Sequence, residues 1–183
     1  MDGYSLNAAE YAVEKKCEGA YFWKRLGMKI FTWVPGIVAT LVFMILSIPA
    51  WVIMIPVYPL VWMKLLKPLL YPYVYIEYEY QIMADTMQFS NIYGKCKRKQ
   101  VLELTIYEML AIAPYSGDTK AAADAPDIKS RMEFVSSMSA EDIYYLIYEK
   151  DGEKKLVFFE PTNKALKLLR LHNKNTVVTQ VRV

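Results

Sequence analysis

The feature that most constrains this chain is a run of 34 residues, from Ile30 to Met63, that contains no charged side chain. Basic residues border the run on both sides, at Lys29 and at Lys64. At a rise of about 1.5 Å per residue, one straight helix over the run would be about 51 Å long, whereas the hydrocarbon core of a bilayer is about 30 Å thick. The run therefore predicts a membrane segment that is too long for one upright span.

Prolines and flanking charges favour a helical hairpin. The run contains four prolines, and the stretch from Ser47 to Ala50 lies near its midpoint, where the chain can reverse. Lys and Arg concentrate at the cytoplasmic ends of membrane helices, so basic residues at both ends predict that both ends are cytoplasmic. We predict a transmembrane hairpin at 30–66, with legs at 31–46 and 50–66 and with both termini in the cytoplasm. One tilted span of roughly 20 to 25 residues and a re-entrant or interfacial pair remain as alternatives.

The residues that precede the hairpin predict a juxtamembrane segment at 1–29. Ser5 or Asn7 can cap a short helix over the alanine-rich residues 8–13, and we expect this helix to lie along the bilayer surface. Aromatic and basic side chains anchor membrane segments at the level of the head groups. The predicted interface anchors are Trp23, Lys24, Arg25, Lys29, Lys64 and Lys67.

The hydrophobic period changes to two after Leu70, which indicates strands. We predict seven of them, at 72–82, 87–93, 98–106, 107–113, 129–136, 143–148 and 155–159. Asp151-Gly152 lies between the last two and favours a tight hairpin. A helix follows Pro161-Thr162-Asn163, and the loop at 115–128 predicts either a short helical turn or a mobile segment. The sequence predicts an α+β fold, with residues 71–183 forming one domain.

Seven strands closed by an amphipathic helix resemble the pleckstrin-homology-like (PH-like) fold. The order of segments is similar to an uncharacterised family of small bacterial membrane proteins. The resemblance covers essentially the whole chain and is carried by Tyr75-Ile76-Glu77-Tyr78-Glu79-Tyr80, Ile92-Tyr93-Gly94-Lys95-Cys96-Lys97-Arg98-Lys99 and Glu160-Pro161-Thr162-Asn163. It implies an N-terminal transmembrane hairpin followed by a PH-like, seven-stranded β-barrel or sandwich with a C-terminal helix. Residues 173–183 exceed such a fold, and the segment from Thr176 to Val183 either adds an edge strand or pairs with a partner.

A basic string between two predicted strands is the candidate site for membrane contact, and it consists of Lys95, Lys97, Arg98 and Lys99. Near a leaflet of anionic lipid each such charge contributes about 1 kcal/mol, so four would orient the domain on the membrane. A solvated turn that protects a sheet edge is the structural alternative. Nothing in the string indicates a pocket for one particular head group.

The chain offers little for catalysis or for metal binding. It has one histidine, His172, and two cysteines, Cys17 and Cys96, without the spacing of a metal, disulfide or redox motif. We therefore predict no enzyme, no metal and no cofactor, and we keep an enzyme that uses Cys96 or His172 as the least favoured hypothesis. A net charge of +3 is too small to indicate nucleic acid as a partner.

These observations predict a non-enzymatic binding or scaffolding module at the cytoplasmic membrane. Its expected partners are the lipid bilayer, anionic lipid head groups and other membrane proteins. An accessory subunit of a larger membrane complex is the alternative, and copurification after mild detergent extraction would distinguish the two.

Overall fold

The computed structural model describes residues 8–46, 49–174 and 176–177. They form two compact units. One unit is built from Lys16–Ile76 and Ile92–Arg98, and it contains the apolar helices. The other is built from the described residues up to Lys15, from Glu77–Asn91 and from the described residues from Lys99 onward, and it contains most of the strands.

The first sheet has four strands in the order β1 (Ala8–Glu14), β2 (Ile76–Met83), β3 (Thr86–Tyr93) and β4 (Lys97–Thr105). β1 and β2 are antiparallel, and Glu14 lies opposite Glu77. The predicted helix at 8–13 is therefore wrong. Ladder pairing outweighs the helix propensity of the alanines in this segment, which is an alternating strand whose less exposed positions are Ala9, Tyr11 and Val13.

The second sheet also has four strands, β5 (Met109–Pro114), β6 (Ile128–Phe134), β7 (Tyr144–Lys150) and β8 (Glu153–Phe159). Their order is β5-β7-β8-β6, and β6 runs parallel to β8. Asp151 and Gly152 have φ angles of 59° and 74°, as the tight turn between β7 and β8 requires, so the predicted hairpin is confirmed. The seven predicted strands correspond to β2 through β8. The predicted count is wrong because β1 adds an eighth.

Aromatic rings and a closing helix form the core of the strand-rich unit. Tyr80, Phe89 and Phe159 are fully buried, with ring centroids 5.7 to 6.2 Å apart. The Tyr80 hydroxyl donates a hydrogen bond to the carbonyl of Phe134, and burial raises the pKa of this tyrosine. The helix at Asn163–His172 is confirmed, and its N-terminus is capped by Thr162, whose Oγ1 accepts the N–H of Ala165 at 3.3 Å.

The loop between β5 and β6 is held against the second sheet. It contains a 3₁₀ turn at Gly117–Thr119 and a short helix at Lys120–Ala123, so the predicted helical turn is confirmed. Ala123 is fully buried in a cluster that also contains Tyr145 and Phe158. The loop therefore covers apolar side chains of the sheet.

Thr176 and Val177 begin the C-terminal tail. The N–H of Ile112 in β5 donates to the carbonyl of Thr176 at 2.8 Å, and Ile112 and Val177 form a parallel bridge. Thr176 and Val177 therefore support the interpretation of this tail as an edge strand. The remainder, 178–183, lies outside the described residues.

The apolar run is helical. Helix α1 spans Gly19–Ile45, and helix α2 (Ala50–Val61) continues through a π-helical turn at Trp62–Leu66 into α3 (Lys67–Leu70). Among the described residues, α1 is the one helix whose length and composition suffice to cross a membrane. Both helical segments are longer than the predicted segments 31–46 and 50–66, because α1 begins at Gly19 and the second helical segment extends to Leu70. The transmembrane hairpin itself stays a prediction.

Helix α1 packs against α2 and the π-helical turn. The ring of Trp33 lies 6.0 Å from that of Tyr58 and 5.3 Å from that of Trp62. Gly36 faces Tyr58 so closely that a Cβ atom there would lie 2.3 Å from the ring. The two helical segments therefore approach each other where α1 lacks a side chain.

Candidate membrane-contact site

The basic string spans the turn between β3 and β4 and the start of β4: Lys95 lies in the turn, and Lys97, Arg98 and Lys99 are the first residues of the strand. We call residues 95–99 the basic turn. Gly94 and Lys95 both have a φ angle of 60°, and the N–H of Cys96 donates to the carbonyl of Tyr93 at 3.1 Å. The four predicted contact residues, Lys95, Lys97, Arg98 and Lys99, are all exposed. All four side chains therefore lie at the surface.

Gly94 attaches this turn to the chain that follows the second helical segment. Its N–H donates to the carbonyl of Tyr75 at 2.7 Å. A Cβ atom at this position would lie 2.8 Å from the backbone nitrogen of Pro72 and 3.0 Å from the carbonyl carbon of Tyr71. The positive φ and the close approach both require glycine, and they hold the base of the basic turn against the exit from the second helical segment.

Cations and tyrosines cluster at this exit. The rings of Tyr71 and Tyr75 stack with centroids 4.4 Å apart. The guanidinium of Arg25 lies 4.0 Å from the centre of the Tyr75 ring, and Nζ of Lys67 lies 5.1 Å from that of Tyr71. At such distances a cation is attracted to the ring face. Tyr21 fastens α1 to the same segment, because its hydroxyl donates to the carbonyl of Val74 and accepts the N–H of Ile76 at 3.3 Å.

The structure separates the predicted interface anchors into two groups. Arg25, Lys29 and Lys67 line one cavity between α1 and the second helical segment. The other three lie outside that cavity; they are Trp23, Lys24 and Lys64, and all are exposed, Trp23 by 70%.

Sequence reasoning missed the aromatic lining of this cavity. Four rings contribute to it: Trp33 from α1, Trp62 from the π-helical turn, and Tyr71 and Tyr75 from the residues that follow α3. The enrichment of aromatic residues at both ends of the apolar run is the signal that could have indicated them. Which rings face one another depends on how the helices pack.

Neither of the two residues considered for catalysis lines this cavity. Cys96 is exposed in the basic turn, and His172 is the last residue of the C-terminal helix. Within residues 8–46, 49–174 and 176–177, no three His, Cys, Asp or Glu side chains are grouped to hold a metal ion.

The model of one protein family, described as bacterial PH-like domain (DUF6106), matches residues 7–179. This chain belongs to that family. The match begins at the first sheet, runs through the helices and includes the C-terminal helix, so the DUF6106 match covers both units. No curated protein and no solved structure matches the chain. Membership supports the PH-like assignment of the strands and a binding or scaffolding role of no stated specificity.

Proposed function

We propose that this DUF6106 protein is a multi-pass protein of the cytoplasmic membrane. In this proposal a hairpin anchors a PH-like domain, which acts as a non-enzymatic binding or scaffolding module on the cytoplasmic side. The observation that carries the proposal is the pairing of Glu14 with Glu77, which lie opposite each other in neighbouring antiparallel strands.

This pairing restricts how the helices can cross a membrane. Residues directly opposite in an antiparallel ladder have Cα atoms about 5 Å apart. The chain therefore leaves the first sheet after Glu14 and returns at Glu77 to nearly the same point, with both apolar helices inserted between. A single crossing would put these two points on opposite sides of the bilayer. The pairing thus supports a hairpin or a re-entrant pair over one tilted span, and it supports termini on one side.

Two native cysteines allow a direct test of this topology. Cys17 and Cys96 are exposed and lie before and after the helices in sequence. In Cys17→Ser and Cys96→Ser variants, the remaining thiol should react with a membrane-impermeant maleimide from the cytoplasmic side only. As a matched control, Leu46→Cys in a cysteine-free background should react from the opposite side, because Leu46 directly follows the last residue of α1 as its C-cap. Labelling of Cys17 and Cys96 from opposite sides would refute the proposal.

The basic turn is proposed to hold the domain on anionic lipid by charge. Cys96 is its native reporter, because contact with lipid would shield this thiol. In vesicles with anionic lipid, its reaction with an uncharged polymeric maleimide should slow and should recover in high salt, while Cys17 serves as the internal reference. Lys97→Gln together with Lys99→Gln should weaken the contact by about 2 kcal/mol. A Cys96 rate that is indifferent to lipid charge would mean that the turn is merely solvated.

A further inference from the structure

A basic cavity of about 300 Å³ lies between α1 and the segment that runs from the π-helical turn to Tyr75. Three cations, Arg25, Lys29 and Lys67, contribute to its wall, and no acidic residue is among the described residues that line it. Stacked Tyr71 and Tyr75 carry two of these cations on their ring faces. The cavity therefore presents positive charge that is oriented by rings and has no carboxylate on its wall.

A second cavity, of about 250 Å³, lies between α1 and α2 and has no charged residue in its lining. Ile37, Leu41 and Ile55 make it apolar. Trp33 lines both cavities, so the two adjoin at this ring. The pair consists of a cationic compartment at the helix ends and an apolar groove one to two helical turns further along α1.

This combination matches the chemistry of an amphiphile with an anionic head and a hydrocarbon chain. Phosphate oxygens accept charge-assisted hydrogen bonds from Arg and Lys, and an acyl chain fits an apolar groove that faces the bilayer. An apolar helix from a protein partner could cover the groove, but it would bring no anionic group to Lys29 and Lys67. Charge complementarity therefore favours a lipid.

We propose that the hairpin binds one anionic phospholipid. Its phosphate lies among Arg25, Lys29 and Lys67, and one acyl chain lies in the groove between α1 and α2. This site rests on the proposed membrane insertion, but it is separate from the basic turn, none of whose lysines lines either cavity. Lipid held in this way is retained in high salt, unlike lipid that is attracted to an exposed surface.

Brominated lipids provide the test, because bromine quenches tryptophan at short range. The full chain carrying Trp23→Phe and Trp51→Phe keeps only Trp33 and Trp62, which line the cationic cavity. It is reconstituted in phosphatidylcholine vesicles that contain a small fraction of brominated phosphatidylglycerol, at about 1 M salt, where the Debye length is about 3 Å. We expect stronger quenching than by the same fraction of brominated phosphatidylcholine.

Matched charge variants distinguish the cavity from the general surface. Lys29→Gln with Lys67→Gln should weaken the preference for phosphatidylglycerol roughly 30-fold, at about 1 kcal/mol per charge. Lys24→Gln with Lys64→Gln removes the same charge from nearby positions outside the cavity and should leave the preference unchanged. Equal losses in the two double variants, or equal quenching by the two brominated lipids, would overturn the inference.

Two further outcomes are decisive. Relief of quenching by soluble glycerol phosphate would mean that the cavity binds a free anion, and it would overturn the lipid assignment; we expect no relief. Flotation with the vesicles separates the two proposals. A protein that fails to float refutes membrane anchoring and the lipid site together, whereas one that floats and shows no lipid preference refutes the lipid site alone.

Discussion

Replacing Gly36 with alanine should loosen the packing of α1 on α2. The added Cβ would lie 2.3 Å from Cζ of Tyr58 and 2.5 Å from both of its Cε atoms, whereas ordinary contact begins at 3.4 Å. The ring would have to retreat by about 1 Å, and Trp33 lies next to it. Overpacking of this kind lowers the free energy of unfolding by about 1–3 kcal/mol, whereas the higher helix propensity of alanine raises it by about 1 kcal/mol. The expected net loss is about 0–2 kcal/mol.

Gly27 provides the matched control in the same helix. A Cβ atom at Gly27 would meet nothing within 4 Å, so Gly27→Ala keeps the gain in helix propensity without the clash. It should leave the packed helices as stable as before or up to about 1 kcal/mol more stable. The two variants should therefore differ by about 1–3 kcal/mol in the free energy of unfolding.

Tryptophan emission is a selective assay for this difference. All four tryptophans, Trp23, Trp33, Trp51 and Trp62, belong to the unit that contains the apolar helices. Unfolding of the full chain by sodium dodecyl sulfate in mixed micelles, followed by tryptophan emission, therefore reports on the helices and not on the strands.

A double-mutant cycle decides whether the clash is the cause. In a Tyr58→Ala background, Gly36→Ala should no longer destabilise, which corresponds to a coupling energy of about 1–3 kcal/mol. The reasoning is refuted if Gly36→Ala and Gly27→Ala shift the transition equally, or if the coupling energy is zero.

Three further predictions concern the PH-like domain. Replacing residues 15–76 with Asn-Gly, a turn favoured between antiparallel strands, should give a water-soluble protein whose circular dichroism is mainly β. A fragment that starts at Pro72 lacks β1, so it should unfold at a lower urea concentration than this protein. Ala123→Leu should destabilise that soluble protein by about 1–3 kcal/mol in urea, because Ala123 is fully buried, while Ala121→Leu on the exposed side should have little effect. The carboxylate of Glu108 accepts a hydrogen bond from the backbone N–H of Thr105, and this bond lowers the pKa of the carboxylate below 4.5. The bond therefore stabilises the folded state at neutral pH, and this stabilisation is lost as the pH falls through the folded-state pKa. Glu108→Gln should thus lower the urea midpoint at pH 7 and have less effect near pH 3; an equal effect at both would contradict this.

Local sequence patterns were sufficient for most of the domain. Alternation located β2 through β8, Asp151-Gly152 marked a hairpin, and Pro161-Thr162-Asn163 marked a helix start, because each depends on residues that are neighbours in the chain. β1 was missed although Ala9, Tyr11 and Val13 alternate with more polar positions. Its three alanines suggest a helix in isolation, and only the ladder with β2 makes the strand the stable state.

The sequence by itself determined that the chain carries a charge-free run with basic ends and an alternating, PH-like domain, because charge and periodicity are properties of contiguous residues. Tertiary structure decided that Glu14 meets Glu77, so that the helices are an insertion between paired strands. It also decided that Arg25, Lys29 and Lys67, from two separate helical segments, line one cavity. Such pairings depend on helix packing and on strand register, which bring together residues about 40 to 60 positions apart, and no local pattern encodes them.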